Sequence, residues 1–169
     1  DKEYTGQLLK LLKEYGIKAS FFVVAEFARE NPELIERMKE EGHLIGIHSV
    51  SHKNALFRGR KFVRRDLKQS MAVLEEMGCQ VCEYRPPWGH LNLWTLYYCR
   101  RMDLKLIFWD VMAHDWSARE TEKSIEKKLL RRVFPGAVIC LHDGRGEAEA
   151  PKRTVEALRR ALPILLKQG

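Results

Sequence analysis

The order of apolar and polar residues predicts an α/β fold, a distorted and partly closed β/α barrel with parallel strands. Short apolar runs rich in aromatic and β-branched residues alternate with amphipathic helical stretches, and that alternation requires crossover connections with helices covering the outside. Glycine and proline punctuate the segments. Ionisable residues cluster directly after the strand-like runs, as they do where the carboxyl ends of barrel strands converge on one mouth.

Tyr4, Leu8, Leu11, Leu12 and Tyr15 recur at helical spacing, with Gly16 as the stop, so the first element is a helix. Residues 19–24, ASFFVV, suit a buried parallel strand. Asn31-Pro32 then reads as the N-cap and first residue of a helix carrying Leu34, Ile35 and Met38 inward and ending at Gly42. LIGI at 44–47 is strand-like, 62–77 is an amphipathic helix stopped by Gly78, and a short strand near 81–84 leads into a Pro-Pro loop. A helix over 93–102, the strand LKLIFW at 104–109, a Thr-capped helix over 121–133, and the strand AVICL at 137–141 follow. A polar loop over 143–153 precedes a last helix over 154–167, in which Pro163 predicts a kink or an early end.

At 169 residues the chain reads as one domain over 1–169, with no linker or repeat. Its 45% hydrophobic and 31% charged residues exclude low-complexity and collagen-like chains. The formal charge of +7 would suit an anionic partner, yet the cations fall mostly in predicted helices such as RRDLKQS and EKKLLRR, where they read as a solvated face. No basic tract is interleaved with aromatics, so no nucleic-acid partner is expected. No apolar run approaches the roughly 18–20 residues that span a bilayer, and DKEYTGQ lacks signal-peptide features. Of the four cysteines, Cys79 and Cys82 form a lone CQVC pair with no second CxxC to complete a zinc ribbon; all four read as reduced and structural.

Four segments carry residues suited to chemistry. His48 and His52 stand four apart after LIGI; two imidazoles leaving a strand can aim at one divalent ion, but alone they read equally as an ordinary loop. In YRPPWGH, Arg85 can orient a carboxylate, while Pro87 and Trp88 stiffen the loop and supply an apolar face. WDVMAHDWSA places Asp110, His114 and Asp115 after a strand, with Trp116 able to form the wall of a sugar groove, though the segment reads equally as a capped helix start with a core tryptophan. VICLHDG sets Leu141 and His142 at a strand end, where a neighbouring carboxylate can tune the imidazole as a general acid.

In this order HSVSH, RPPWG, DVMAHDW and LHD resemble the sequential motifs of the polysaccharide deacetylases, carbohydrate esterase family 4 or the chitooligosaccharide-deacetylase-like superfamily, across essentially the whole chain. The resemblance implies metal-dependent hydrolysis of N-acetyl or O-acetyl groups on a carbohydrate. It implies His48 and His52 as metal ligands, for zinc or else cobalt, nickel or manganese. It implies Arg85 as the group that positions the catalytic carboxylate, Asp115 as partner of the arginine and histidine network, and His142 as general acid. Trp88 would offer its backbone N–H to the oxyanion, with Pro87, Trp116 and Leu141 on the substrate side. An acetylated carbohydrate is the implied partner, and the cell envelope or its exterior the implied location. Two other readings stand beside it: a hydrolase of non-carbohydrate linear amides, and an inactive carbohydrate- or partner-binding domain.

One departure concerns the family's Thr-Phe-Asp-Asp-Gly-like motif, which resemblance makes the source of the general base and of a third metal ligand. It does not occur in these residues, which open DKEYT. The expectation is a domain truncated at its N-terminus that lacks the first family strand, with Asp1 starting a helix rather than replacing either aspartate. A smaller departure is Ile47 before His48, where many members carry Asn.

Overall fold

The computed structural model describes residues 1–144 and 146–168; Arg145, in the polar loop expected over 143–153, lies outside them. The protein is α/β with parallel sheets, and its contacts divide it into two compact units, residues 18–108 and residues 1–17 with the segment from Trp109 onward.

In the 18–108 unit a four-stranded parallel sheet runs in the order β1 (Ser20–Val23), β2 (Leu44–Ile47), β3 (Glu83–Tyr84), β4 (Lys105–Leu106). Phe21 pairs with Ile45 and Val23 with Ile47, so the buried side chains of neighbouring strands lie side by side. Helices α2 (Ala25–Glu30), α3 (Pro32–Glu40), α4 (Arg60–Glu76) and α5 (Leu93–Arg101) accompany the strands. Ile35 and Met38 of α3 and Val63, Leu67 and Leu74 of α4 are essentially inaccessible, as their helical spacing predicts. At Gly46 a Cβ would come within 2.8 Å of both the Glu83 carbonyl oxygen and the Phe22 ring, so the β2–β3 approach depends on this glycine.

The other unit holds α1 (Lys2–Glu14), the parallel pair β5 (Val111–Met112) and β6 (Ile139–Cys140), and helices α6 (Glu122–Arg132) and α7 (Ala150–Gln168). Leu11, Ile125, Leu129, Val155, Leu158 and Ala161 share one apolar cluster among α1, α6 and α7. Asp1 caps α1, its carboxylate accepting from the Glu3 and Tyr4 N–H groups.

Helix stops follow the expected chemistry. After α1, Gly16 takes φ +65° while the Ile17 N–H returns to the Leu12 carbonyl and the Gly16 N–H to that of Lys13, a Schellman closure that α3 and α4 repeat. After α5 a non-glycine, Asp103, occupies the same left-handed position. Thr121 caps α6 in a capping box with Ser124.

Several elements depart from expectation. Helix α2 was not anticipated; the Ala25 and Glu26 N–H groups that begin it donate to the carbonyls of Ser49 and Val50, partners supplied only by the folded chain. Asn31 precedes α3 as expected but makes no side-chain cap; its Nδ2 donates to the Phe27 carbonyl instead. The run 104–109 is not one strand: β4 ends at Leu106, since the Arg85 guanidinium faces the carbonyls of Ile107 and Phe108 that a longer ladder would use, and pairing resumes at β5. The strand expected over 137–141 narrows to Ile139–Cys140, the Val138 N–H donating to the Asp110 carboxylate. Helix α7 starts four residues early, where Pro151 suits a first turn, and it does not end at Pro163 but continues to Gln168. Leu162 and Leu165 pack against the core cluster on both sides of that proline, and this burial offsets one lost backbone bond. The four cysteines are free thiols, and burial pushes that of Cys99 up to about 12.

Gly46→Ala is expected to destabilise the protein by about 1–3 kcal/mol in urea unfolding, because the added methyl meets backbone on one side and a packed ring on the other. His43 is buried, its Nδ1 accepting from the Ala19 N–H, and burial holds its pKa below the ordinary 6.5 against the opposing pull of Glu41. The unfolded chain therefore binds the extra proton first, and stability falls as pH drops below about 6.5. Denaturation midpoints measured above and below that pH should show this slope in the native protein and a shallower one in His43→Gln, whose amide oxygen accepts the same N–H without titrating.

Candidate functional site

In the 18–108 unit, β2 delivers His48 into a tightly pinned turn. The His48 N–H donates to the Val23 carbonyl at 2.9 Å, that of His52 to the Ser49 hydroxyl at 2.7 Å, and that of Val50 to the Asp66 carboxylate at 3.1 Å. Ser49 is fully buried, and Ser49 and His52 both adopt left-handed backbone, at φ +71° and +56°. Burial raises the Asp66 carboxyl above its usual range, and the Val50 N–H opposes that rise. Ser49 and Asp66 had no role in the sequence reading; the only signal for Ser49 was its place inside HSVSH.

This turn brings the two imidazoles together, with ring centroids 4.9 Å apart. Nδ1 of His48 lies 2.6 Å from the Arg85 carbonyl oxygen. A carbonyl only accepts, so Nδ1 is the donor in this contact, the arrangement found in histidines that bind metal through Nε2. The pair therefore fits as part of a divalent-metal donor set. Among the described residues no cluster of three or more His, Cys, Asp or Glu is placed to hold a metal.

Arg85 follows β3, its guanidinium carbon 4.1 Å from the Phe22 ring centroid and its Nη2 3.2 Å from the Phe108 carbonyl. Pro87 is buried, and Trp88 beyond it is 56% exposed with its ring 4.4 Å from that of His52. Trp88 sits at φ +55°, a conformation costly for a bulky residue. The turn is closed by the N–H groups of Gly89 and His90, not by that of Trp88.

In the other unit, Asp115 has no solvent exposure and receives three hydrogen bonds. They come from the His142 N–H at 2.6 Å, the His142 ring Nδ1 at 2.9 Å and the Thr154 hydroxyl at 2.9 Å. The contact to Nδ1 makes that nitrogen the donor and leaves Nε2 as the ring position outside the pair. Thr154, three residues beyond Pro151 on α7, was missed because nothing in TVEAL distinguishes it from an ordinary buried helix threonine. The Thr5 hydroxyl donates to the Asp143 carboxylate at 2.6 Å, securing the turn after His142. Asp110 bonds to backbone, Trp116 is partly exposed with its carbonyl beside Gly146, and Leu141 packs against the α6–α7 cluster.

Thr154→Val keeps the shape and removes one of the donors that solvate a buried charge. It is expected to cost about 1.5–3 kcal/mol in denaturant unfolding.

Residues 1–107 match the family model described as polysaccharide deacetylase. The chain is similar to a chitooligosaccharide deacetylase of Sinorhizobium fredii, 31% identical over 176 residues, covering 98% of this chain and 81% of that protein. It is similar in structure to a peptidoglycan N-acetylglucosamine deacetylase solved in complex with 4-naphthalen-1-yl-N-oxidanyl-benzamide, at 29% identity and TM-score 0.93, covering 100% of this chain and 78% of that one. A carbohydrate esterase family 4 pseudoenzyme of Bacillus anthracis shares the fold at 24% identity and TM-score 0.89; the match covers 99% of this chain, which spans 57% of the pseudoenzyme. Both the family match and the relative of similar length point the same way: the chain belongs to the polysaccharide deacetylase family.

Proposed function

We propose that this chain carries a carbohydrate deacetylase reaction, hydrolysing N-acetyl or O-acetyl groups on an envelope polymer such as peptidoglycan or on a chitin-like oligosaccharide. The single observation that supports it most is the fully buried Asp115 carboxylate gripping His142 through both backbone and ring nitrogen. That arrangement suits a proton donor at Nε2. The carboxylate orients the ring through Nδ1, while the side chain keeps about 30% exposure.

His48 and His52 would hold a divalent metal, zinc or else cobalt, nickel or manganese. When bound, such an ion supplies polarisation of the acetyl carbonyl and a water of lowered pKa. Arg85 fixes the His48 tautomer through its own carbonyl and in this reading orients the catalytic carboxylate. The Trp88 N–H is the candidate oxyanion donor, presented by its left-handed backbone. Pro87, Trp116 and Leu141 would face the sugar and the acetyl methyl. In the balanced reaction the acyl C–N bond breaks and water oxygen bonds to the acyl carbon. The His142 proton passes to the departing amine nitrogen, and of the two protons the water sheds one returns to His142 and the other ends on the amine, giving acetate and the sugar's ammonium group.

The second reading, an inactive carbohydrate-binding domain, is favoured by the donor set of two histidines, with no third metal-binding group beside them among the described residues. Acetate release from N-acetylglucosamine oligomers and from peptidoglycan decides between them. It should be measured with and without chelator, on this chain and on the chain joined to whatever its reading frame encodes before Asp1. The deacetylase reading expects chelator-sensitive release, loss of metal uptake in His48→Ala, and a kcat lowered about 10²- to 10⁴-fold in His142→Gln. No chelator-sensitive release from either chain, with glycan still bound, would establish the inactive binder.

A further inference from the structure

Helix α4 breaks the charge rule for a helix start. Gly59 at its N-cap offers no side-chain acceptor and its first turn carries no acid, yet Arg60 and Lys61 stand where the backbone dipole is already positive. Arg60, Arg64 and Lys68 follow at four-residue steps with Lys61 and Arg65 beside them, so like charges repel along one face. Among the described residues none of the five is in a salt bridge. Sequences retain such conflicts mainly where function needs them.

These five side chains and the phenol of Tyr98 line a groove of about 540 Å³ with no carboxylate in its wall. The Tyr98 hydroxyl accepts from Arg60 Nε at 2.8 Å and so aims the guanidinium. The same guanidinium lies 5.9 Å from the Trp94 ring, and that of Arg101 lies 5.9 Å from the Tyr97 ring. Trp94 and Tyr97 are 41% and 44% exposed, so partly bare aromatic faces border a row of uncompensated cations. A second cavity of about 280 Å³ shares Arg65 and Gln69 with the first and is lined by Val50 and Ser51, the residues between His48 and His52, with Lys53 and the carboxyls of Glu26 and Asp66 also in its wall.

We propose that this groove binds a carboxylate-bearing glycan strand and leads it along α4 toward the His48–His52 turn. Cations repeated about every 6 Å along a helix match a ligand that repeats its negative charge, hence a polymer rather than a single anion. The exposed indole and phenol offer flat apolar faces to sugar rings. Their planes meet at 84°, edge to face, which does not form the platform that successive nucleic-acid bases stack on. Peptidoglycan, with carboxylates on its peptide stems, has this chemistry; chitin has the sugar without the charge. The inference rests on the carbohydrate reading above, but it concerns binding, not hydrolysis.

The test compares the native chain, R64E/K68E, and the charge-preserving R64K/K68R for binding to insoluble peptidoglycan, to chitin and to single-stranded DNA, over a range of salt. Peptidoglycan binding should weaken roughly tenfold or more in R64E/K68E, fall with added salt in the native chain, and return in R64K/K68R. Chitin binding and any acetate release from soluble N-acetylglucosamine oligomers should stay within about twofold, and unchanged Tm and circular dichroism would show that the variants fold. Equal peptidoglycan binding by native chain and R64E/K68E overturns the proposal, as does native binding to DNA that matches or exceeds binding to peptidoglycan. If acetate release fails by the test of the preceding section, the hydrolytic reading fails while the binding comparison still decides this one.

Discussion

A carboxylate with no access to water is tolerable only when donors replace its hydration, and in the unit built on α1, α6 and α7 that condition organises everything near Asp115. Three donors meet it, and they come from two distant segments: the end of β6 through His142 and helix α7 through Thr154. Because both carboxylate oxygens are used, the imidazole has one orientation. Moving α7 would strand a charge in the interior, so the packing of Val155, Leu158 and Ala161 on α6 and the placement of His142 are linked.

Arg85 plays a comparable part in the 18–108 unit by different means. Its carbonyl holds Nδ1 of His48, its guanidinium lies against Phe22, and its fork faces carbonyls just past β4. One residue thus sets a histidine tautomer and ends a strand. Backbone strain gathers in the same places: of the five non-glycine residues with positive φ among the described residues, Ser49, His52, Trp88 and His114 lie within the motif segments, and Asp103 serves a helix end. Strain of this kind persists where surrounding structure over-determines it, as the hydrogen bonds that pin the His48–His52 turn do.

Much of the framework was legible in the residue pattern. LIGI became β2 at its expected bounds, Gly16, Gly42 and Gly78 closed their helices, Thr121 capped α6, and the inward positions of α3 and α4 were those with helical period. Each depends on local chemistry, the reach of a turn or the pleat of a strand. The motif order HSVSH, RPPWG, DVMAHDW and LHD was likewise enough to identify the family.

What stayed hidden involves partners far away in sequence. Helix α2 exists because carbonyls some 24 residues downstream receive its first N–H groups. LKLIFW splits because an arginine side chain competes for its carbonyls. Thr154 matters because it reaches a carboxylate 39 residues away. The cations of α4 form the exposed face their spacing predicts, but that Tyr98 lies beside them and holds Arg60 is set only by the fold. The sequence by itself determined the alternation of strands and helices, their stops and the family, since these follow from short-range propensity and motif order. Only the tertiary structure decided which donors surround the buried Asp115 carboxylate and which partners hold Nδ1 of His48 and of His142, because those are set by hydrogen bonds between segments that meet only on folding.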